Sequence, residues 1–138
     1  MGIRGLEMLA NEEPPIRILI TGSRDWTDYN RIYEALALQD RCHEHSDCNH
    51  RYVLVSGACP TGADVIAEDV AKHFGWDIER HPAYWDLYDK RAGHIRNSEM
   101  VNLGADICLA FIKNNSKGAT MTAEMAQKAN IETIIYRE

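Results

Sequence analysis

Two short stretches of this chain carry residue types suited to holding a small anion. In Thr21-Gly22-Ser23-Arg24-Asp25, Gly22 lets the main chain come close to a ligand, Ser23 offers a hydroxyl and Arg24 a planar cationic fork. In the stretch from Lys113 to Thr120, Gly118 precedes an expected helix start near Thr120. The first N–H groups of such a helix have no acceptor within it and carry the positive end of its dipole. One helix end contributes only about 0.3–1 kcal/mol toward a charged group, so several such features must converge. The plainer reading of each glycine, taken singly, is a tight turn.

A second glycine-bearing segment, Gly57-Ala58-Cys59-Pro60-Thr61-Gly62, is followed by Asp64. Gly62 suits either close helix-to-sheet packing or the approach of a ligand. Asp64 would repel a phosphate but accept from a ribose hydroxyl; a carboxylate is equally at home in a first helical turn. Cys59 has no base beside it in sequence, which argues against a nucleophile, and Cys108 reads as core. Ala92-Gly93-His94-Ile95-Arg96-Asn97 opens a helix with a glycine that weakens it, which suggests a close approach there. Arg96 and Asn97 are adjacent, so only one is expected to face inward. Tyr84, Trp85 and Tyr88 form an aromatic segment that suits stacking on a base or covering an edge or subunit contact.

The elements that must position these residues follow from periodicity. Ile16–Ile20, Tyr52–Ser56, Trp76–Arg80, Asp106–Phe111 and Glu132–Tyr136 read as strands, the best of them continuous apolar runs. Helical spacing links Tyr29, Ile32, Tyr33, Leu36 and Ala37, with Thr27 or Asp28 as cap, and again Ala63, Ile66, Ala67, Val70, Ala71 and Phe74, stopped by Gly75. Two further helices are expected over about 92–102 and 120–129. The β-α-β-α-β-α-β-α-β alternation predicts an α/β three-layer sandwich: about five mostly parallel strands with helices on both faces. With strand order 3-2-1-4-5, the ligand crevice would lie beyond the carboxyl ends of strands 1 and 4, where the order reverses.

The bulk properties bound the function. The chain has 138 residues, 45% of them apolar and 26% charged, the size of one domain able to bury roughly two-thirds of its unfolded surface. We expect a mobile leader over 1–15, a single domain over 16–138 and a polar insertion at about 40–51. No apolar run nears the roughly 20 residues of a membrane span, and no secretory signal is visible, so a cytoplasmic protein without membrane attachment is expected. The net charge of −6 argues against a duplex-coating protein. Within the insertion, Cys42, His43, His45, Cys48 and His50 crowd together. Their spacing matches no standard zinc finger and their neighbours are polar, so a flexible insertion is expected ahead of zinc held by Cys42, His45, Cys48 and His50.

Four motifs occur in order: Gly22-Ser23-Arg24; Gly57 with Gly62-Ala63-Asp64; Ala92-Gly93-x-x-Arg96-Asn97 with Met100; and Ser116-Lys117-Gly118-Ala119-Thr120. Together they resemble the YspA-like branch of the SLOG superfamily, Rossmann-like proteins related to the DNA-processing protein DprA and the lysine-decarboxylase-like LOG enzymes. The resemblance runs from about Arg17 to Ile135. It implies a nucleotide or nucleotide-derived ligand in the crevice, and self-association into a homo-oligomer. LOG enzymes cleave the N-glycosidic bond of a nucleoside monophosphate with an Arg and a Glu beside a Gly-Gly-x-Gly-Thr loop. Arg96 resembles that Arg. The loop here differs, with Ile112–Lys117 in place of Pro-Gly-Gly and Ala119 between Gly118 and Thr120; Glu124 would stand in for the catalytic Glu.

The expected function is therefore binding of a nucleotide or nucleotide-derived phosphorylated ligand, as in a sensor module; beyond that ligand the sequence points to no definite cofactor. Its contacts would come from Gly22, Ser23, Arg24, Gly57, Gly62, Asp64, Arg96, Asn97, Gly118, Ala119 and Thr120. The first alternative is a nucleoside-monophosphate phosphoribohydrolase using Arg96 and Glu124. The second is a single-stranded DNA-handling protein, which the acidic charge disfavours.

Overall fold

The structure, a computed structural model, describes residues 14–40 and 50–138. The expected leader up to Glu13, the centre of the expected insertion and Cys42, His45 and Cys48 lie outside the described residues.

Among the described residues, five strands form one sheet: β1 (Ile16–Gly22), β2 (Tyr52–Ser56), β3 (Asp77–Arg80), β4 (Ile107–Ile112) and β5 (Glu132–Arg137). Their order is β3-β2-β1-β4-β5, and all four pairings are parallel. Ile18 stands opposite Leu54 on one side and Ile107 on the other, so β1 is central and its residues are buried on both faces. That is why it shows no polar alternation.

Helices α1 (Tyr29–Gln39) and α2 (Ala63–His73) cover one face. There Ile18, Ile20, Leu54, Leu109 and Phe111 pack with Ile32, Leu36, Ala67 and Val70. The opposite face is covered by α4 (Ala92–Leu103) and α5 (Lys117–Lys128), where Leu19, Val55 and Cys108 meet Met100, Val101 and Ala126. The expected α/β sandwich and strand order are therefore observed. Asp28 caps α1 by accepting from the Arg31 N–H at 3.1 Å. Gly75, at φ +76°, turns the chain out of α2.

Several boundaries differ from expectation. The aromatic segment holds a short helix, α3 (Trp85–Tyr88), followed by one 3-10 turn (Asp89–Arg91) that leads into α4. Helix α5 starts at Lys117 rather than near Thr120, with Ser116 at its N-cap, so Gly118 lies inside the first turn. Among the described residues, no helix is long and apolar enough to cross a membrane.

Candidate functional site

A crevice of about 550 Å³ opens at the carboxyl ends of β1 and β4, where the strand order reverses. Three strand-to-helix connections and the start of α4 wall it. Gly22 ends β1 and Arg24 and Asp25 follow it, Cys59 and Asp64 follow β2, and Ser116 to Ala119 follow β4. Helix α4 contributes Gly93, His94, Arg96, Asn97 and Met100, and Trp85 stands at the side.

Its outer part is cationic. Arg24 is exposed, lies over the Trp85 ring at 5.4 Å and has no ion-pair partner among the described residues. Lys117 is likewise exposed and unpaired among the described residues. Ser116 makes no side-chain cap, and the first N–H bonded back into α5 is that of Thr120, to the Ser116 carbonyl. The N–H groups of Lys117, Gly118 and Ala119 are thus left for whatever occupies the crevice. A lysine in a first helical turn opposes the helix dipole, and no acidic residue balances it there.

The inner part is built on Arg96. Its Nη1 donates to the Gly57 carbonyl, and its Nε donates to Asn97 Oδ1 at 2.6 Å. Of the two neighbours only Asn97 is buried, in line with the expectation that one would face inward, and Arg96 is half-buried; both line the crevice, and the hydrogen bond between them orients both. Helix α4 carries no clean apolar stripe and buries the polar Asn97 alongside Ala92, Met100 and Val101. Asp64 is 6% exposed. Its Oδ2 accepts the Cys59 N–H at 3.2 Å, its one hydrogen bond among the described residues. Burial pushes the Asp64 carboxyl up to about 6, against the opposing pull of the Cys59 N–H and the Arg96 guanidinium. Burial in turn lowers the Arg96 pKa below its ordinary value, and Asp64 works against that shift.

Several residues expected at a ligand have structural roles, and some stand outside the crevice lining. The Ser23 hydroxyl is buried, accepts from the Lys113 N–H at 2.8 Å and faces its carbonyl at 3.2 Å, clipping the ends of β1 and β4 together. A Cβ on Gly22 would lie 2.3 Å from the Ala63 Cβ, so that glycine seats α2 against β1. Gly62, at φ +78°, would put a Cβ 2.2 Å from the Ser23 carbonyl oxygen, and that same carbonyl accepts the Ala63 N–H at 3.1 Å. The first N–H of α2 is therefore taken by main chain. Gly57 makes room for Arg96, since a Cβ there would lie 2.6 Å from Nη1. Thr120 is half-buried and outside the crevice lining, and Glu124 is exposed on α5, also outside it.

Sequence reasoning passed over Lys117, His94 and Met121. Lys117 was detectable as a cation misplaced in the helix dipole. His94 Nδ1 and Met121 Sδ meet at 2.9 Å across the mouth, a contact that joins α4 to α5 and that spacing along the chain does not reveal. Of the candidate metal ligands, His50 alone is described, and the described residues hold no group of three or more His, Cys, Asp or Glu placed for a metal.

With this geometry in view, comparison with known proteins is specific. A family model described as YspA, cpYpsA-related SLOG family matches residues 16–88, from β1 through α3. The Gene 61 protein of Mycobacterium phage D29 is 42% identical over 125 residues, covering 87% of this chain and 95% of that protein. No solved structure matches significantly. The span of the family match contains Arg24, Gly57, Gly62 and Asp64; Arg96 and the start of α5 complete the crevice from beyond it.

Proposed function

Because this chain belongs to the YspA, cpYpsA-related SLOG family, we propose that its crevice binds a nucleotide or nucleotide-derived phosphorylated ligand. Family membership supports a nucleotide-related function on a Rossmann-like fold. The observation that carries the finer reading is the convergence of Arg24, Lys117 and the uncapped start of α5 on one hollow. Cations without carboxylate partners beside open helix amides favour an anion such as a phosphate. The hollow falls in the size range of small-molecule sites, and Trp85 presents a ring face on which a base can stack.

The test is a thermal-shift panel of mononucleotides, dinucleotides and ADP-ribose derivatives. A ligand at one hundred times its dissociation constant stabilises the fold by about 2.7 kcal/mol. That shift should be lost in Arg24→Ala and Lys117→Ala. No shift with any compound at millimolar concentration would reject the reading.

One observation favours hydrolysis of the N-glycosidic bond as a second reading, with a changed residue assignment. The carboxylate beside Arg96 is Asp64, whereas Glu124 stands outside the crevice. Base release from AMP that survives Glu124→Ala and stops in Asp64→Asn would support it. Single-stranded DNA handling gains nothing from the geometry, and the net charge of −6 weighs against it.

A further inference from the structure

We propose that the inner end of the crevice reads the sugar: Asp64 accepts a hydrogen bond from a ribose hydroxyl and so selects ribonucleotides over their dideoxy counterparts. This rests on the reading of the crevice as a nucleotide site. Three features carry it. First, a carboxylate has about four lone-pair positions, and Asp64 uses one of them, on the Cys59 N–H. The described residues contain no buried side-chain nitrogen or oxygen without a partner, so the remaining capacity of Asp64 opens into the crevice that it lines.

Second, Arg96 does not spend its donors on Asp64. Its Nη1 and Nε are committed to Gly57 and Asn97, and Nη2 has no hydrogen bond among the described residues. The two side chains flank the space above Gly57, whose missing Cβ would have stood 2.6 Å from Arg96 Nη1 and 3.0 Å from Asp64 Oδ2. The crevice thus presents an acceptor and a donor close together, a pattern matched by a hydroxyl-bearing sugar. Third, the charges divide the crevice. An anionic phosphate is favoured at Arg24, Lys117 and the α5 amides; at the inner end Arg96 is balanced by the Asp64 carboxylate beside it, so a hydroxyl-bearing group meets less repulsion there than a phosphate. A site built around a buried acceptor rejects an analogue that lacks the donor, because the acceptor is then left unpaired.

The experiment is calorimetric titration with AMP, GMP, CMP and UMP, each beside its 2′,3′-dideoxy counterpart, on the wild type, Asp64→Asn and Asp64→Ala. Thermal melts establish that each variant is folded. The wild type should prefer the ribonucleotide at least tenfold, and that ratio should collapse toward one in Asp64→Ala, whereas Asp64→Asn, whose amide oxygen still accepts, should keep part of it. Equal binding of ribo and dideoxy forms by the wild type overturns the inference while leaving the nucleotide site intact. So does a ribose preference that survives in Asp64→Ala, or a change in base preference in place of sugar preference. Absence of binding by all eight compounds overturns the inference, while the nucleotide site itself stands or falls with the wider thermal-shift panel.

Discussion

Arg96 reaches from α4 across to the end of β2, where its Nη1 donates to the carbonyl of Gly57. That bond exists only because residue 57 has no side chain: a Cβ there would stand 2.6 Å from Nη1. The clash partner is the far end of a flexible side chain, so the guanidinium can swing away. At Gly62 the corresponding clash is with the main chain of Ser23 and Arg24, at 2.2 to 2.6 Å and at φ +78°.

The two glycines therefore separate site from fold. Gly57→Ala should lower stability by only about 1 kcal/mol while weakening AMP binding at least tenfold, through displacement of Arg96. Gly62→Ala should cost upwards of about 3 kcal/mol, because neither backbone can give way and the conformation itself is strained. Urea unfolding and calorimetry on both variants check this. A Gly57→Ala protein that binds normally would remove Arg96 from the site.

Asp64 sets a pH dependence of stability. Its folded pKa of about 6 lies above the ordinary 3.8, so the folded chain holds this proton more tightly than the unfolded chain does. Its contribution is fully present below about pH 4 and is lost as pH rises through about 6. Ionised at pH 8, the buried group costs on the order of 1–3 kcal/mol. Asp64→Asn should accordingly melt above the wild type at pH 8, with the difference shrinking toward pH 4.5. A variant that melts lower at pH 8 would show the charge to be stabilised in place.

Gly118 lies exposed in the first turn of α5, and a Cβ there would meet nothing within 4 Å. Gly118→Ala should gain up to about 1 kcal/mol from helix propensity. If a phosphate rests on the α5 amides, the added methyl group should also weaken AMP binding at least tenfold. Higher melting temperature with unchanged affinity would move the anion away from this turn.

The two described cysteines should differ in reactivity. Cys59 lines the crevice and is partly exposed, whereas Cys108 is buried in β4 and burial pushes its thiol up to about 12. Brief iodoacetamide treatment of the native protein, read by peptide mass mapping, should modify Cys59 and spare Cys108 until the chain unfolds. Saturating AMP should slow the Cys59 reaction; an unchanged rate would place the ligand elsewhere.

Much of the architecture was written in local pattern. Continuous apolar runs such as Ile18–Ile20 and Leu109–Phe111 identify strands buried on both faces, and their alternation with helical stripes dictates a parallel sheet, since parallel neighbours need crossovers. The crevice followed from that topology, because loops at one rim of such a sheet must meet where strand order reverses. One helix start was less legible: α5 begins at Lys117, three residues before the expected position near Thr120, because a helix start depends on main-chain geometry more than on a nearby glycine.

What each loop residue does was decided only by tertiary contact. A glycine in sequence says that a side chain is excluded without saying what excludes it. Gly22 and Gly62 turned out to admit α2 and the Ser23 main chain, and Gly57 the Arg96 guanidinium. Ser23 was drawn into joining two strands, and Glu124 was turned outward by the helix that holds it. Asp64 gained its importance from burial beside Arg96, a neighbour 32 positions along the chain. Periodicity specifies which side of an element is apolar, because burial is a property of a whole face. The partner of a single polar group depends on a few ångströms set by the packing of distant elements, which local sequence does not encode.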